Sequence, residues 1–206
     1  MLLSAAFFIV LHAEAQTPRP FAKLNGFISK ELNNNFYPQI DLGLELFSIP
    51  FFAPEVSYSY FAAQTDEIVI LTSPNPSRIQ INSWVKGSLI TLTPKIAIPL
   101  EEWTLYFLPN YSFGKATADS RRESLVNDDV NFERVTYAER VRFFSFGVGF
   151  EKDLTEKISW GGQLMYTQNN SGRILENIEF NDPELGLKGI NLETIGFGVV
   201  VYYDLF

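Results

Sequence analysis

The strongest constraint on the fold is the alternation of side chains in the last thirteen residues, TIGFGVVVYYDLF (residues 194–206). Every second residue of this segment is apolar, whereas the residues between them are mixed. A period of two residues predicts a β-strand. Because the apolar face is long and ends in aromatic residues, the pattern indicates a strand whose outer side contacts lipid. The predicted lipid-facing residues are Ile195, Phe197, Val199, Val201, Tyr203 and Leu205.

The overall composition agrees with a protein built from such strands. Aromatic residues make up 15% of the chain and charged residues 19%, and the mean hydropathy is +0.02. A value near zero is expected where polar and apolar positions alternate, and it is too low for a helical membrane protein. The net charge of −8 argues against nucleic acid as a partner, because phosphate binding needs a concentrated basic surface. The chain has no cysteine, which excludes disulfides, thiolate metal sites and cysteine nucleophiles.

The N-terminus has the pattern of an export signal. An apolar run, LLSAAFFIVL (residues 2–11), is followed by Ala13-Glu14-Ala15, an A-x-A pattern that suits cleavage before Gln16. The run is too short to span a bilayer, since a transmembrane helix needs about 20 residues. The sequence therefore predicts a signal peptide over residues 1–15 and a single mature domain over residues 16–206.

Seven further segments share the period of two residues and alternate with turns and polar stretches. The predicted strands are residues 21–32, 39–47, 55–63, 81–98, 103–113, 140–150, 158–168 and 189–206. Long polar segments (residues 64–80, 115–138 and 169–188) are expected as loops on one side of the sheet, although residues 68–71 (IVIL) could extend a strand. Short turns would then lie on the other side. This arrangement predicts an all-β fold, an antiparallel up-and-down transmembrane β-barrel of eight strands.

The export signal, the eight segments, the aromatic residues near segment ends and the terminal Phe206 together resemble the small outer-membrane β-barrel proteins of Gram-negative bacteria, a porin-like class. The expected aromatic girdle residues are Trp103, Tyr111, Trp160 and Tyr166. The resemblance implies export through the periplasm to the outer membrane. It also implies outer-membrane lipid, lipopolysaccharide, the barrel assembly machinery and an outer-membrane protein complex as partners. Phe206 departs from the usual pattern, because it falls on the face opposite to Leu205.

Polar residues on the predicted inner face form the main candidate site: Asp41, Glu45, Glu55, Lys95 and Gln163. Inside a narrow barrel these groups should pair, because an unpaired buried charge is costly. A structural plug of ion pairs and hydrogen bonds is therefore favoured over a transport path. Eight strands leave room only for side chains or one small ligand, whereas water-filled porins have about 16 to 18 strands.

The sequence predicts no catalytic, cofactor or metal site. The only histidine, His12, lies in the predicted signal peptide, which removes Ser/His/Asp triads and most catalytic zinc sites from the mature chain. Asn127, Asp128, Asp129 and Glu133 could bind calcium, but their spacing differs from an EF-hand loop, and a solvated acidic loop is favoured.

Two adjacent arginines, Arg121 and Arg122, could contact lipopolysaccharide phosphates, although an ordinary solvent-exposed pair is favoured.

Three functional hypotheses follow from the whole chain. The leading one is a non-enzymatic integral barrel with a structural or accessory-subunit role. The alternatives are a narrow channel or transporter for small or hydrophobic solutes, and a soluble lipocalin-like ligand-binding barrel.

Overall fold

The computed structural model describes residues 18–65, 68–72, 77–126, 129–181 and 186–205, which form one sheet of nine strands. The strands are β1 (Arg19–Ile28), β2 (Phe36–Glu45), β3 (Phe52–Gln64), β4 (Ile68–Thr72), β5 (Ser77–Pro99), β6 (Thr104–Val126), β7 (Asp129–Asp153), β8 (Ile158–Asn169) and β9 (Leu192–Tyr203). Two 3₁₀ helices span Asn33–Asn35 and Ser171–Asn177. Within the described ranges, no helix has the length and apolar character needed to cross a bilayer. The predicted signal peptide and Phe206 lie outside the described residues.

The sheet closes on itself through two pairings. β1 pairs with β9, from Phe21 opposite Tyr202 to Phe27 opposite Gly196, and β3 pairs with β5 over the whole length of β3. β4 pairs with residues 77–81 of β5, beyond the point where β3 ends, and is not counted as a strand of the ring. The ring therefore contains eight strands, and all of its pairings are antiparallel. The predicted eight-stranded antiparallel barrel is confirmed, including the first strand.

The two ends of the barrel differ in their connections. Short connections (residues 46–51, 100–103 and 154–157) lie at one end with both described chain termini, and we call it the turn end. The opposite end, which we call the loop end, carries the longer connections of residues 29–35 and 170–191 and the ends of the long β5, β6 and β7 strands. The first of these connections contains an asparagine run (residues 33–35), in which Asn34 and Asn35 have positive φ angles of 62° and 53°. Asparagine tolerates this left-handed conformation better than most residues.

The prediction of a loop over residues 115–138 is wrong. β6 and β7 continue through most of this segment as a paired hairpin, with register partners from Thr104 opposite Glu151 to Val126 opposite Asp129. The inward positions Ala116, Ala118 and Ser120 are fully buried. These small inward residues alternate with polar outward ones, so the segment has little hydropathy contrast and yet pairs as a regular ladder. The possible strand extension at residues 68–71 is present as β4.

The prediction of a polar loop over residues 169–188 is also wrong in part. Its residues 169–181 include the second 3₁₀ helix and fold into the loop end of the barrel, where Ile174, Leu175, Ile178 and Phe180 are buried. They pack with inward-facing residues of the ring in one hydrophobic cluster. The main apolar core therefore lies at the loop end, and the polar interior lies below it.

Candidate functional site

Six charged side chains form an ion network inside the barrel near the turn end. We call this set the ionic cluster: Arg19, Lys23, Lys95, Glu45, Glu55 and Glu151. The Lys95 Nζ atom lies 3.0 Å from Glu45 Oε2 and 2.7 Å from Glu151 Oε2. It also lies 3.7 Å from Glu55 Oε1. Lys95 is 2% exposed, so its ammonium group is held by carboxylates in place of water.

The other two cations complete the charge balance of the ionic cluster. Arg19 contacts Glu45 at 3.1 Å and Glu151 at 2.8 Å, and Lys23 contacts Glu55 at 2.5 Å. Within the ionic cluster, three cations therefore face three carboxylates, and Arg19 Nε also lies 2.7 Å from Oδ1 of the more exposed Asp204. Such pairing is required because an isolated buried charge costs several kcal/mol.

Strand register explains why these residues meet. Arg19 stands opposite Glu45, and Glu45 stands opposite Glu55, on adjacent strands. Two like charges directly opposite each other destabilise a sheet, so Glu45 and Glu55 need cations between them. Lys95 supplies that charge, because its Nζ atom lies 3.0 Å from Glu45 and 3.7 Å from Glu55. The Tyr202 hydroxyl adds a hydrogen bond to Glu55 Oε1 at 2.7 Å.

A layer of hydrogen-bonded polar side chains around Asp41 lies beside the ionic cluster. Asp41 accepts hydrogen bonds from Asn25 Nδ2 and Gln39 Nε2, both at 2.8 Å. Gln163 Nε2 donates to Asn25 Oδ1 at 2.6 Å, which joins strand β8 to β1 across the interior. A row of hydrogen-bonded hydroxyls links β3, β5 and β6. The Thr91 Oγ1 atom lies 2.9 Å from Ser59 Oγ and 2.9 Å from Ser112 Oγ.

All five inner-face residues predicted from the sequence are buried, and they belong to two groups. Glu45, Glu55 and Lys95 lie in the ionic cluster, whereas Asp41 and Gln163 meet through Asn25. The sequence reasoning missed Arg19, Lys23 and Glu151, because their segments were assigned to a leader, a weak strand and a turn. Strict alternation could have found Lys23, since its neighbours Ala22 and Leu24 face outward.

The outer surface of the ring is apolar. The predicted lipid-facing residues of β9 and the residues after it are between 44% and 61% exposed: Ile195, Phe197, Val199, Val201, Tyr203 and Leu205. Val200 and Tyr202, between them, are 1% and 0% exposed. The same outward apolar pattern is found on the neighbouring strands, including Leu42, Leu92, Phe107 and Val148. A soluble monomer does not expose a continuous apolar surface of this extent.

Aromatic residues border the apolar surface at both ends. Trp103 and Trp160 lie near the turn end, and each contacts Phe150, with ring centroids 5.2 Å and 5.6 Å apart. Toward the loop end, Tyr111 packs on Phe144 at 5.0 Å, and the Tyr166 hydroxyl donates to Glu193. These are the four residues predicted as girdle positions.

The remaining sequence candidates show no assembled site. Asn127 and Asp128 lie outside the described residues. Among the described residues, no group of three or more potential metal-binding side chains is present. Glu133 instead accepts a hydrogen bond from the backbone of Asn181 at 2.8 Å. Arg121 stacks on the Phe132 ring at 4.8 Å, and Arg122 lies 3.7 Å from Glu133.

A closed antiparallel barrel with an apolar outer belt, aromatic borders and a polar interior is a transmembrane β-barrel. Barrels of this kind span the outer membrane, with short turns on the periplasmic side and longer loops outside. The chain is therefore an integral outer-membrane β-barrel protein.

Three solved structures that resemble the chain are remote from it in sequence. Ail, the attachment invasion locus protein of Yersinia pestis, is 10% identical, with 91% of this chain and 95% of that chain covered and a TM-score of 0.35. Acinetobacter baumannii CarO is 10% identical, with coverages of 89% and 96% and a TM-score of 0.41. The outer-membrane protease OmpT from Escherichia coli is 12% identical, with coverages of 91% and 96% and a TM-score of 0.37.

No family model and no curated protein matches the sequence. The likenesses to solved structures are too distant to assign a function or a role to any residue.

Proposed function

We propose that this protein is a closed outer-membrane barrel that neither conducts solutes nor catalyses a reaction, and that acts as a structural or accessory component of the cell envelope. The observation that carries the proposal is the filled interior. Side chains occupy three successive levels, which are the ionic cluster, the hydrogen-bonded layer around Asp41, and the apolar core at the loop end.

Each level opposes a transport path for a physical reason. A permeating ion would have to separate Lys95 from carboxylates 2.7 Å to 3.0 Å away, and this would leave buried charges unpaired. A small hydrophobic solute would have to displace Leu175 and Ile178, each 1% exposed, from the loop-end core. The apolar outer belt likewise opposes the soluble lipocalin-like alternative.

Orientation, export and assembly belong to the same proposal. The turn end faces the periplasm and the loop end faces the cell surface. Residues 1–15 are removed as a signal peptide, and residues 16–206 form the mature barrel. The apolar face of β9 serves the barrel assembly machinery as a recognition strand, and the belt then contacts outer-membrane lipid and lipopolysaccharide. The cell-surface part of the β6–β7 hairpin is the element available to an outer-membrane protein complex.

Conductance in planar bilayers tests the closed interior. The protein is reconstituted, its insertion is verified by heat-modifiable migration on gels, and a general porin in the same bilayers shows that the recording detects open channels. We expect no conductance steps from this protein. Steady steps would establish the narrow channel instead, and recovery of a soluble, ligand-bearing protein would establish the lipocalin-like alternative.

Co-purification from gently solubilised outer membrane separates an accessory subunit from a solitary structural barrel. We suggest comparing the natural chain with a shortened variant in which an Asn-Gly turn joins Ala118 to Tyr137, residues that stand opposite each other on β6 and β7. A partner that binds the cell-surface hairpin would be lost from the variant while the barrel remains heat-modifiable. A partner retained by both proteins would place the contact elsewhere.

A further inference from the structure

The apolar belt ends at a defined level on β6 and β7. On β6 the outward residues are apolar or aromatic up to Phe113, and on β7 they are so down from Phe144. From Thr104 to Phe113 the chain has the length of strand that crosses the hydrocarbon core, about 9 to 11 residues when tilted. The next outward residues on these strands therefore lie at the level of the lipid headgroups of the outer leaflet.

Three cations occupy that level. We call them the cationic patch: Lys115, Arg140 and Arg142. Lys115 stands opposite Arg140, and Arg142 stands opposite Phe113, so all three share the outward face of one strand pair. All three are exposed, and they border an open cleft of about 970 Å³ together with Phe113.

The described residues supply no ion pair to the cationic patch, although they pair every cation of the ionic cluster. Like charges opposite each other across two strands are unfavourable, and the chain as a whole carries a net charge of −8. The carboxylate bordering the cleft belongs to Glu139, which alternation directs to the other face of β7. The second cleft that Glu139 borders also includes Arg140, Arg142 and Arg173. The outward face thus concentrates positive charge beside the membrane surface.

We infer that the cationic patch binds the phosphate groups of an anionic glycolipid of the outer leaflet, lipopolysaccharide, whose acyl chains lie on the belt at Phe113 and Phe144. The inference rests on the outer-membrane orientation given above. Arginine binds phosphate through a planar pair of donors, and lysine binds it as a point charge. Arg140 and Arg142 are two residues apart on one face, about 7 Å along the strand, and Lys115 lies across the ladder, about 5 Å from Arg140. This spacing suits phosphates on one headgroup.

Lipid retention by purified protein tests the inference. The probe is lipopolysaccharide that carries both lipid A phosphates, added to the protein in nanodiscs of a neutral phospholipid, and bound lipid is counted by native mass spectrometry across a dilution series. Each cation at an anionic headgroup contributes roughly a fivefold change in affinity. We expect the K115Q/R140Q/R142Q variant to bind the probe about 100-fold more weakly than the natural chain.

The matched control removes the same charge at the same end of the barrel. Lys30, Arg78 and Lys188 are exposed at the loop end and border no cleft with the cationic patch, so K30Q/R78Q/K188Q should retain the affinity within about threefold. Equal weakening in both triple variants would overturn the site, because it would show only a general charge effect. Unchanged binding in K115Q/R140Q/R142Q would overturn it as well.

Two further probes distinguish a glycolipid from other sources of phosphate. Phosphatidylglycerol in place of lipopolysaccharide, or free inorganic phosphate, should bind at least tenfold more weakly, since neither presents several phosphates beside acyl chains in one headgroup. Equal binding of either probe would overturn the assignment to lipopolysaccharide. Heat-modifiable migration of each variant confirms folding, so loss of lipid binding with a folded, non-conducting barrel leaves the proposed function intact.

Discussion

Removal of the Lys95 ammonium group should strongly destabilise the barrel. In Lys95→Met the side chain keeps its length and apolar stem, but Glu45, Glu55 and Glu151 lose a shared cation from which they lie 2.7 Å to 3.7 Å away. The ionic cluster would then hold three carboxylates against two cations in the protein interior. Breaking a buried ion pair from one side costs about 3–5 kcal/mol, and we expect a loss in this range.

A second substitution tests whether charge imbalance causes that loss. Glu151→Gln in the Lys95→Met background restores equal numbers of charges while it retains a hydrogen-bonding group beside Arg19, which lies 2.8 Å from Glu151. We expect the double variant to lose about 1–3 kcal/mol less stability than the sum of the losses in the two single variants, as for residues of one network.

Urea unfolding in phospholipid vesicles, followed by tryptophan fluorescence, measures these free energies. Lys157→Met is the matched control, because Lys157 is exposed in a turn-end connection, and it should change stability by less than about 0.5 kcal/mol. A Lys95→Met barrel within about 1 kcal/mol of the natural chain would refute the reasoning, since the cluster would then have no energetic need for its central cation.

Three further outcomes follow from the outer surface and the loop end. Val199→Asp should impair membrane assembly far more than Val200→Asp, because Val199 faces outward and Val200 lies inside, opposite Lys23; equal assembly yields on heat-modifiability gels would contradict these faces. The hydrogen bond from the Arg134 guanidinium lowers the pKa of Asp119 and keeps this pair charged at a pH where a free carboxyl is already protonated, so Arg134→Gln should move the Asp119 carboxyl titration, followed by NMR, to higher pH; an unmoved midpoint would count against the pair. Leu175→Ala, at a site 1% exposed, should cost about 2–5 kcal/mol of loop-end packing and speed proteolysis of the loop, whereas an unchanged cleavage rate would show that the loop is held by other contacts.

The ring of the barrel could be predicted from the sequence because a single physical cause shapes both faces of each strand. Lipid outside and a narrow interior require different residue types at successive positions. The alternation around Val199 and Val200 therefore predicts both the strand and its two faces. The same logic placed Glu45 and Lys95 inside, where the structure brings them together across two strands that are distant in sequence.

The parts of the chain beyond the apolar belt at the loop end could not be predicted in this way. Their outer faces contact water in place of lipid, so outward residues there need not be apolar. Ala116 and Ala118 are small inward residues of a regular ladder, but the polar segment that contains them resembles a loop in sequence. The partners of Lys95 also depended on the register between strands, which brings Glu151 within 2.7 Å although its position had been assigned to a turn. Register is set by the whole ring and is not visible in one segment.

The contact of the outer belt with lipid is the central claim, and spin labelling along β9 tests it most directly. The chain has no natural cysteine, so single cysteines from Thr194 to Tyr203 can be labelled one at a time in the reconstituted protein. Accessibility of each nitroxide to oxygen, which concentrates in lipid, should peak at Ile195, Phe197, Val199 and Val201, and accessibility to a water-soluble nickel complex should be lowest there. High nickel accessibility at these four positions would contradict a lipid-facing belt and the membrane barrel with it.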